Sequence, residues 1–190
     1  MPHVAIISSS VRAGRNSHRV ALYFQYFLTS RNLATAEILD LNVYQFPVFT
    51  ERLQYQPNPS PDVLDFAERI KNADGVIIVT PEYNGGYPAS IKNVIDLLYA
   101  EWRRKPIAIS TVSDGSFGGT QVITSLLFTL WKIRSWVIPA QFPVPYVASA
   151  FTEEGHPTKP STDERAAIFI DELMWCIRAK THMNNRDKGT

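Results

Sequence analysis

The order of apolar and polar positions along the chain predicts an alternation of buried strands with amphipathic helices. Short apolar, β-branched runs that are typical of buried strands occupy residues 3–8, 35–41, 75–80 and 106–112. A fifth, edge-like strand begins at Ser135 and is interrupted by Pro139. Helices with one apolar side are predicted over residues 17–31, 61–72, 88–102, 120–134 and 161–180.

Five repeats of strand and helix predict the α/β class, with a mostly parallel sheet covered by helices on both faces. Residues 42–61 and 142–160 carry prolines that favour irregular structure. No repeat or linker divides the chain, so we predict a single domain over residues 1–180, followed by a flexible polar tail over 181–190. Ligands of such sheets bind beyond the carboxyl ends of the strands. The loops after the first, third and fourth strands are therefore the candidate binding loops.

Composition and charge narrow the classes of partner. The 190 residues are 45% hydrophobic, and 19 basic against 18 acidic residues leave a net charge of +1. No strong field of either sign indicates nucleic acid or a membrane surface, and no apolar run reaches the length of a membrane span. Cys176 is the only cysteine, so neither an internal disulfide nor a cysteine-based metal cluster is expected. With no secretory signal in view, a cytoplasmic location is the expectation.

The first candidate loop, SSSVRAGRNS, joins a strand to the start of a helix. Free N–H groups and the helix dipole favour an anion there, and hydroxyl and guanidinium groups add hydrogen bonds to a phosphate. The loop matches neither the Walker A pattern nor the dinucleotide fingerprint. A solvated polar loop is the alternative. The loop's polar residues are Ser8, Ser9, Ser10, Arg12, Arg15, Asn16 and Ser17, and its composition does not choose among them.

The second and third candidate loops suit a flat ligand with a polar edge. TPEYNGGYP combines aromatic rings with glycines that let backbone approach a ligand closely, and SDGSFGG offers N–H groups to a heterocycle. A stiff turn and an ordinary turn are the respective alternatives. Because all three loops meet at one end of one sheet, their combination indicates a phosphate, a planar body and a hydrogen-bonding edge. Flavin mononucleotide (FMN) has these three parts.

The three loops resemble those of the NADPH-dependent FMN reductase family, a flavodoxin-like group of azo-, chromate and quinone reductases. Residues 9–17 are similar to its S-x-R-x-x-S phosphate loop, and residues 113–119 to its S-x-G-x-x-G-G loop. The segment PEYNGGYP, continuing to Ile91, Lys92, Asn93 and Asp96, is the most specific match. The resemblance spans about residues 3–135.

The resemblance implies a flavodoxin-like three-layer sandwich with strand order 2-1-3-4-5, tightly but non-covalently bound FMN, NADPH or NADH as co-substrate, and a homodimer or homotetramer. In relatives the subunit interface follows the helices after strands three and four, here including Tyr99 and Trp102, for which burial inside the subunit is the alternative. The implied phosphate contacts are Ser9, Arg12 and Ser17, with Arg15 as a further candidate. The implied flavin-ring contacts are Pro81, Glu82, Tyr83, Asn84, Gly85, Ser113 and Gly115.

The implied activity is a two-electron, ping-pong reduction of quinones, azo compounds, flavins or similar acceptors. Hydride chemistry would be carried by N5 of FMN, so no side chain is predicted to be catalytic, and no metal is expected. A flavodoxin-type electron carrier is one alternative, but the balanced charge and the arginine-bearing loop argue against it. A regulatory protein that binds partners according to flavin state is another, and the sequence does not exclude it.

Overall fold

A computed structural model describes residues 1–187 as a five-stranded parallel sheet with helices on both faces. The strand order β2-β1-β3-β4-β5 confirms the predicted flavodoxin-like topology. Every neighbouring pair of strands is parallel. The strands are β1 (His3–Ser8), β2 (Thr35–Asp40), β3 (Gly75–Pro81), β4 (Pro106–Val112) and β5 (Trp136–Val144).

Helices form the two outer layers. Their bounds are α1 (Ser17–Ser30), α2 (Leu41–Tyr44), α3 (Pro61–Asn72), α4 (Ala89–Leu97), α5 (Gln121–Lys132), α6 (Val147–Ala150) and α7 (Ser161–Asp187). The core on one face of the sheet is built from α1 and α7, and the core on the other face from α3, α4 and α5. Two short 3₁₀ helices, Leu53–Tyr55 and Ala100–Trp102, lie in the connections.

The strands are buried on both sides, which explains their continuous apolar sequences. Val4 and Ile6 of β1 pack with α1 and α7, whereas Ala5 and Ile7 pack with the opposite helices. Alternate residues of a strand point to opposite faces, so a strand covered on both sides needs apolar residues at every position. β1 ends at Ser8, and the buried serines that follow carry the chain to the candidate binding loop.

The helices α2 and α4 differ from the sequence prediction. α2 lies in a stretch predicted to be irregular, and the side chain of Asp40 caps it by accepting from the N–H of Asn42 at 3.0 Å. α4 ends at Leu97 instead of continuing to Trp102, because Leu98 has an extended backbone. The apolar pattern nevertheless continues, since Trp102 lies in the following 3₁₀ helix and is completely buried. Burial inside the subunit is therefore the right reading of Trp102.

β5 is the edge strand predicted from the sequence, but it does not stop at Pro139. Residues 138–140 form a bulge between the pairs Ile107–Val137 and Ile109–Gln141, and pairing then resumes as far as Val144. Proline has no N–H to give to a ladder, and bulges on edge strands are where it is tolerated. The bulge therefore lets β5 extend beyond the proline to the end of the sheet that carries the candidate loops.

The last helix is longer than predicted. α7 continues to Asp187, so residues 181–187 of the expected tail are helical, and residues 188–190 lie outside the described part of the chain. Within residues 1–187, no helix is long and apolar enough to cross a membrane.

Candidate functional site

An open cleft of about 160 Å³ lies at the carboxyl ends of β1, β3 and β4. Strand register places these ends side by side, with Ser8 opposite Val79 and Pro81 opposite Val112. The cleft is therefore where the sequence predicted the three loops to meet. Seven of the eleven predicted site residues line it: Arg12, Arg15, Ser17, Pro81, Glu82, Tyr83 and Ser113. It is also lined by residues that the prediction did not select, namely Ser10, Gly14, Asn16, Val112, Asp114 and Val147.

The start of α1 is left open toward this cleft. No side chain of residues 1–187 caps the helix at Asn16, and its first turn contains no acidic residue. Ser17 is buried, and its Oγ atom has no hydrogen-bond partner among the described residues. A buried hydroxyl without a partner is costly, so its place beside uncapped helix amides indicates an acceptor-rich ligand. An anion bound there would also meet the positive end of the helix dipole.

Two neighbouring serines have different roles at the end of β1. Both the N–H and the hydroxyl of Ser9 donate to the carbonyl of Val79, at 3.1 and 2.9 Å. Ser10 instead lines the cleft, and its Oγ lies 2.7 Å from the phenol oxygen of Tyr83. Ser9 therefore joins β1 to β3, and the serine available to a ligand is Ser10. The signal that could have found it is its position two residues before Arg12, as in the S-x-R motif.

The two arginines of the first loop lie in different environments. The guanidinium of Arg12 is exposed and lies over the ring of Tyr83, 5.6 Å from its centroid. The guanidinium of Arg15 instead makes a two-pronged ion pair with the carboxylate of Asp40, at the end of β2. It also donates to the carbonyl of Ser10 at 2.7 Å. Arg12 thus keeps its charge free for the cleft, whereas the charge of Arg15 is already compensated.

Ionisation in this region follows from the ion pair. Burial by itself would raise the pKa of Asp40, but hydrogen bonds from Arg15 and from the N–H of Asn42 outweigh it and lower that pKa overall. Burial, together with the charge of Arg15, lowers the pKa of His18, whose Nδ1 lies 3.8 Å from Asp40. The histidine is therefore neutral near pH 7, and Asp40 remains the anionic partner of Arg15.

The loop after β3 is a tight hairpin turn. The N–H of Tyr83 donates to Gly86 at 2.8 Å, and the N–H of Gly86 donates back at 3.0 Å. Asn84 and Gly85, with φ of 53° and 79°, are the central residues of this two-residue turn. Successive positive φ values favour the Asn-Gly sequence. Pro81, Glu82 and Tyr83 line the cleft, but Asn84 and Gly85 do not.

The loop after β4 is held in place by the end of β5 and by α6. Ser113 donates its N–H to the carbonyl of Val144 at 3.0 Å and accepts from the N–H of Val147 at 3.1 Å. Its Oγ donates to the carbonyl of Gly115 at 3.1 Å, which closes the loop on itself. Ser113 lines the cleft, whereas Gly115 does not.

Gly119 fixes the end of the same loop. It has a φ of 73°, and a Cβ atom there would come within 3.0 Å of the carbonyl oxygen of Val112. Only glycine fits this close approach of two backbone segments. Val147 was missed by the site prediction because α6, which brings it to the cleft, lies in a stretch predicted to be irregular.

Comparisons with known proteins agree on the family. The family model described as NADPH-dependent FMN reductase matches residues 2–149. The chain is 34% identical over 148 residues to the NAD(P)H-dependent FMN reductase LOT6 of Saccharomyces cerevisiae, covering 71% of this chain and 76% of that protein. It is 33% identical over 122 residues to a quinone reductase of Pseudomonas putida, covering 61% and 62%.

A solved structure supports the same conclusion. FerB of Paracoccus denitrificans, a flavoenzyme NAD(P)H:(acceptor) oxidoreductase, superposes with a TM-score of 0.77 at 26% identity. The superposition covers 94% of this chain and 98% of FerB. It therefore extends into the long helix α7, which lies beyond the residues matched by the family model.

Proposed function

The chain belongs to the NADPH-dependent FMN reductase family, and we propose that it is an FMN-dependent NAD(P)H oxidoreductase that reduces quinones or similar small acceptors by two electrons. The observation that carries the cofactor assignment is the buried, unpartnered Oγ of Ser17 at the uncapped start of α1. A phosphate oxygen placed there would accept from this hydroxyl and from the free amides together.

The residues of the first loop fit the phosphate end of FMN. Ser10, Arg12 and Ser17 line the cleft, and each has a donor that can reach a phosphate oxygen. We assign the phosphate to these three side chains and to the first amides of α1. Ser9 is assigned to the joint between β1 and β3, because both of its donors are occupied by Val79.

The other two loops fit the ring system. Pro81, Glu82 and Tyr83 line the cleft from the loop after β3, and Ser113 with Asp114 lines it from the loop after β4. We propose that backbone groups of these residues read the polar edge of the isoalloxazine. Asn84, Gly85 and Gly115 are assigned to loop conformation, because the turn and the closed loop already account for them.

FMN, when bound, supplies the hydride-accepting centre, so this chain does not need a nucleophile or a general base. Its own residues bind the phosphate, orient the ring and place N–H donors where negative charge develops on reduction. The cleft is open, which lets NAD(P)H and the acceptor use the same face in turn. We therefore expect ping-pong kinetics, with parallel double-reciprocal plots.

Exposed aromatic residues on α5 support a homo-oligomer. Phe128 and Trp131 are 63% and 66% exposed, and their ring centroids lie 5.8 Å apart. Contiguous exposed aromatic surface of this kind marks interaction sites. We propose a homodimer or homotetramer that buries this pair, to be tested by light scattering of the wild type and of a Trp131→Ser variant. The proposed compartment is the cytoplasm, to be tested by cell fractionation.

The purified protein provides the test of the activity. We expect a flavin absorption band as isolated or after FMN is added, and NADPH oxidation that depends on an added quinone. A protein that gains no flavin chromophore would overturn the proposal. Accumulation of a stable one-electron-reduced form, without turnover of NADPH, would instead favour the electron-carrier alternative.

A further inference from the structure

We infer that Asp40 positions the phosphate-binding loop through Arg15, which leaves Arg12 as the arginine that pairs with the flavin phosphate. This inference rests on the proposed function. It assigns a role to a residue at the end of β2, outside the three candidate loops, and it moves Arg15 from ligand contact to loop support.

The contacts of Arg15 span the base of the loop. Its two terminal nitrogens each donate to one oxygen of Asp40, and one of them also donates to the carbonyl of Ser10. A planar guanidinium held by a carboxylate in this two-pronged way has a fixed orientation. Arg15 therefore links the start of the loop to its end and ties both to β2.

Asp40 is itself fixed on the strand side. It is the last residue of β2, and its carboxylate also accepts from the N–H of Asn42 as the cap of α2. The side chains of Asp40 and Arg15 are each only 15% exposed, so water screens the pair weakly. Releasing Arg15 to a phosphate would leave this carboxylate without its cation and would bring a second anion toward it.

Arg12 lacks such a partner. Its guanidinium lies over the ring of Tyr83 and makes no ion pair with the described side chains, whereas its backbone N–H donates to the Oγ of Ser10 at 3.5 Å. His18 does not take the place of Arg15 at Asp40, because its ring nitrogen is 3.8 Å away and bonds to the Oγ of Ser8 at 3.0 Å. The free cation at the cleft is thus Arg12, and the compensated one is Arg15.

Asp40→Asn is the decisive variant, because asparagine keeps an acceptor for Asn42 while the charge is lost. The full-length protein is titrated with FMN and, in parallel, with riboflavin, which has no phosphate. We expect the Kd for FMN to rise by about tenfold and the Kd for riboflavin to stay within about twofold. Asp171→Asn, which removes a carboxylate from an exposed pair on α7, is the matched control and should change neither value.

A second set of variants keeps the result decisive if Asp40→Asn weakens the fold. Arg15→Ala should weaken FMN binding as much as Asp40→Asn does, and the double variant should be no worse than either single one. Tighter FMN binding by Asp40→Asn would mean that Asp40 restrains a phosphate ligand, and would overturn the inference. An equal rise of the Kd values of Asp40→Asn for FMN and for riboflavin would also overturn the inference. So would additive effects of the two substitutions on FMN binding in the double variant. If the wild type binds neither flavin, the proposed function itself is wrong. If the wild type binds FMN and only the results for the variants differ from those expected, the role assigned to Asp40 is wrong and the proposed function stands.

Discussion

The starts of α3 and α1 show two ways in which this chain treats the free amides of a helix. α3 is completed by its own sequence: the Oγ of Ser60 accepts from the N–H of Val63 at 3.3 Å, Pro61 occupies the first turn, and Asp62 supplies negative charge. α1 has none of these features at Asn16, and Ser17 directs a hydroxyl without a partner into the same region.

The same contrast is seen at the other helices that follow the cleft loops. α2 and α3 are capped by side chains, whereas α1, α4 and α5, the helices that follow the three cleft loops, have no side-chain cap within the described chain. Leaving a helix start uncapped costs stability unless something else accepts from its amides. In α1 the unpartnered hydroxyl and the free arginine support our proposal that this partner is a phosphate. The predictions below test this contrast.

The largest effect is expected for Arg12→Ala. Removing the free cation should weaken FMN binding by about 10- to 100-fold, since hydrogen bonds to charged groups are worth about 1.5 to 3 kcal/mol. The affinity should also become less sensitive to salt. Fluorescence titration with FMN and with riboflavin measures the two affinities. The control is Arg103→Ala, which removes the same charge from an exposed site before β4. Unchanged FMN binding by Arg12→Ala would rule out the phosphate assignment.

A smaller effect on binding is expected for Ser17→Ala. Loss of one hydrogen bond to phosphate should raise the Kd for FMN by about five- to tenfold, or about 1 to 1.4 kcal/mol. The free energy of unfolding of the apoprotein should not fall, because the variant removes a buried hydroxyl that has no partner among residues 1–187. Urea unfolding measures the second quantity. A destabilised apoprotein with normal FMN affinity would mean that Ser17 is structural.

Ser60→Ala should give the opposite result. Losing a helix cap should lower the free energy of unfolding by about 1 kcal/mol, and the Kd for FMN should not change. Urea unfolding and the same FMN titration check both parts. If Ser60→Ala weakened FMN binding as much as Ser17→Ala, the contrast between the two helix starts would have no functional meaning.

The smallest effect concerns the dependence of stability on pH. The pKa of Asp40 in the folded protein is lowered below 3.8, so its contribution is complete above that value and is lost as the pH falls through the lower folded pKa. Wild-type apoprotein should therefore lose more stability than Asp40→Asn on acidification from neutral pH to below 3.8. Urea unfolding at both pH values measures the difference. Parallel losses in the two proteins would show that Asp40 does not carry this part of the acid sensitivity.

Much of the fold followed from the sequence because parallel strands buried on both faces are continuous apolar runs. β1 begins and ends where the pattern placed it, and the order of the strands is confirmed. The apolar pattern gave a wrong helix boundary where a buried residue lies outside the helix but continues its apolar spacing. It extended α4 to Trp102, because a buried tryptophan in a following 3₁₀ helix continues the apolar signal. It also missed α2, which at four residues is too short to show a period.

The site shows the same division. The family resemblance selected seven residues that line the cleft, but it named Ser9 where the cleft is lined by Ser10, because the pairing of β1 with β3 that occupies Ser9 is not visible in the sequence. Nor could it separate Arg12 from Arg15. These two arginines have the same chemistry, and only the end of β2, brought beside the loop by the sheet, distinguishes them.

By itself the sequence determined the layers, the order of the elements and the loops that face a ligand, because hydrophobic period and turn composition are local properties. Tertiary structure alone decided which donors were already occupied. Asp40 neutralises Arg15, Val79 takes both donors of Ser9, and Ser17 is left without a partner in the described chain. Whether a polar group is free to bind depends on neighbours that are distant in the chain, and folding is what places them.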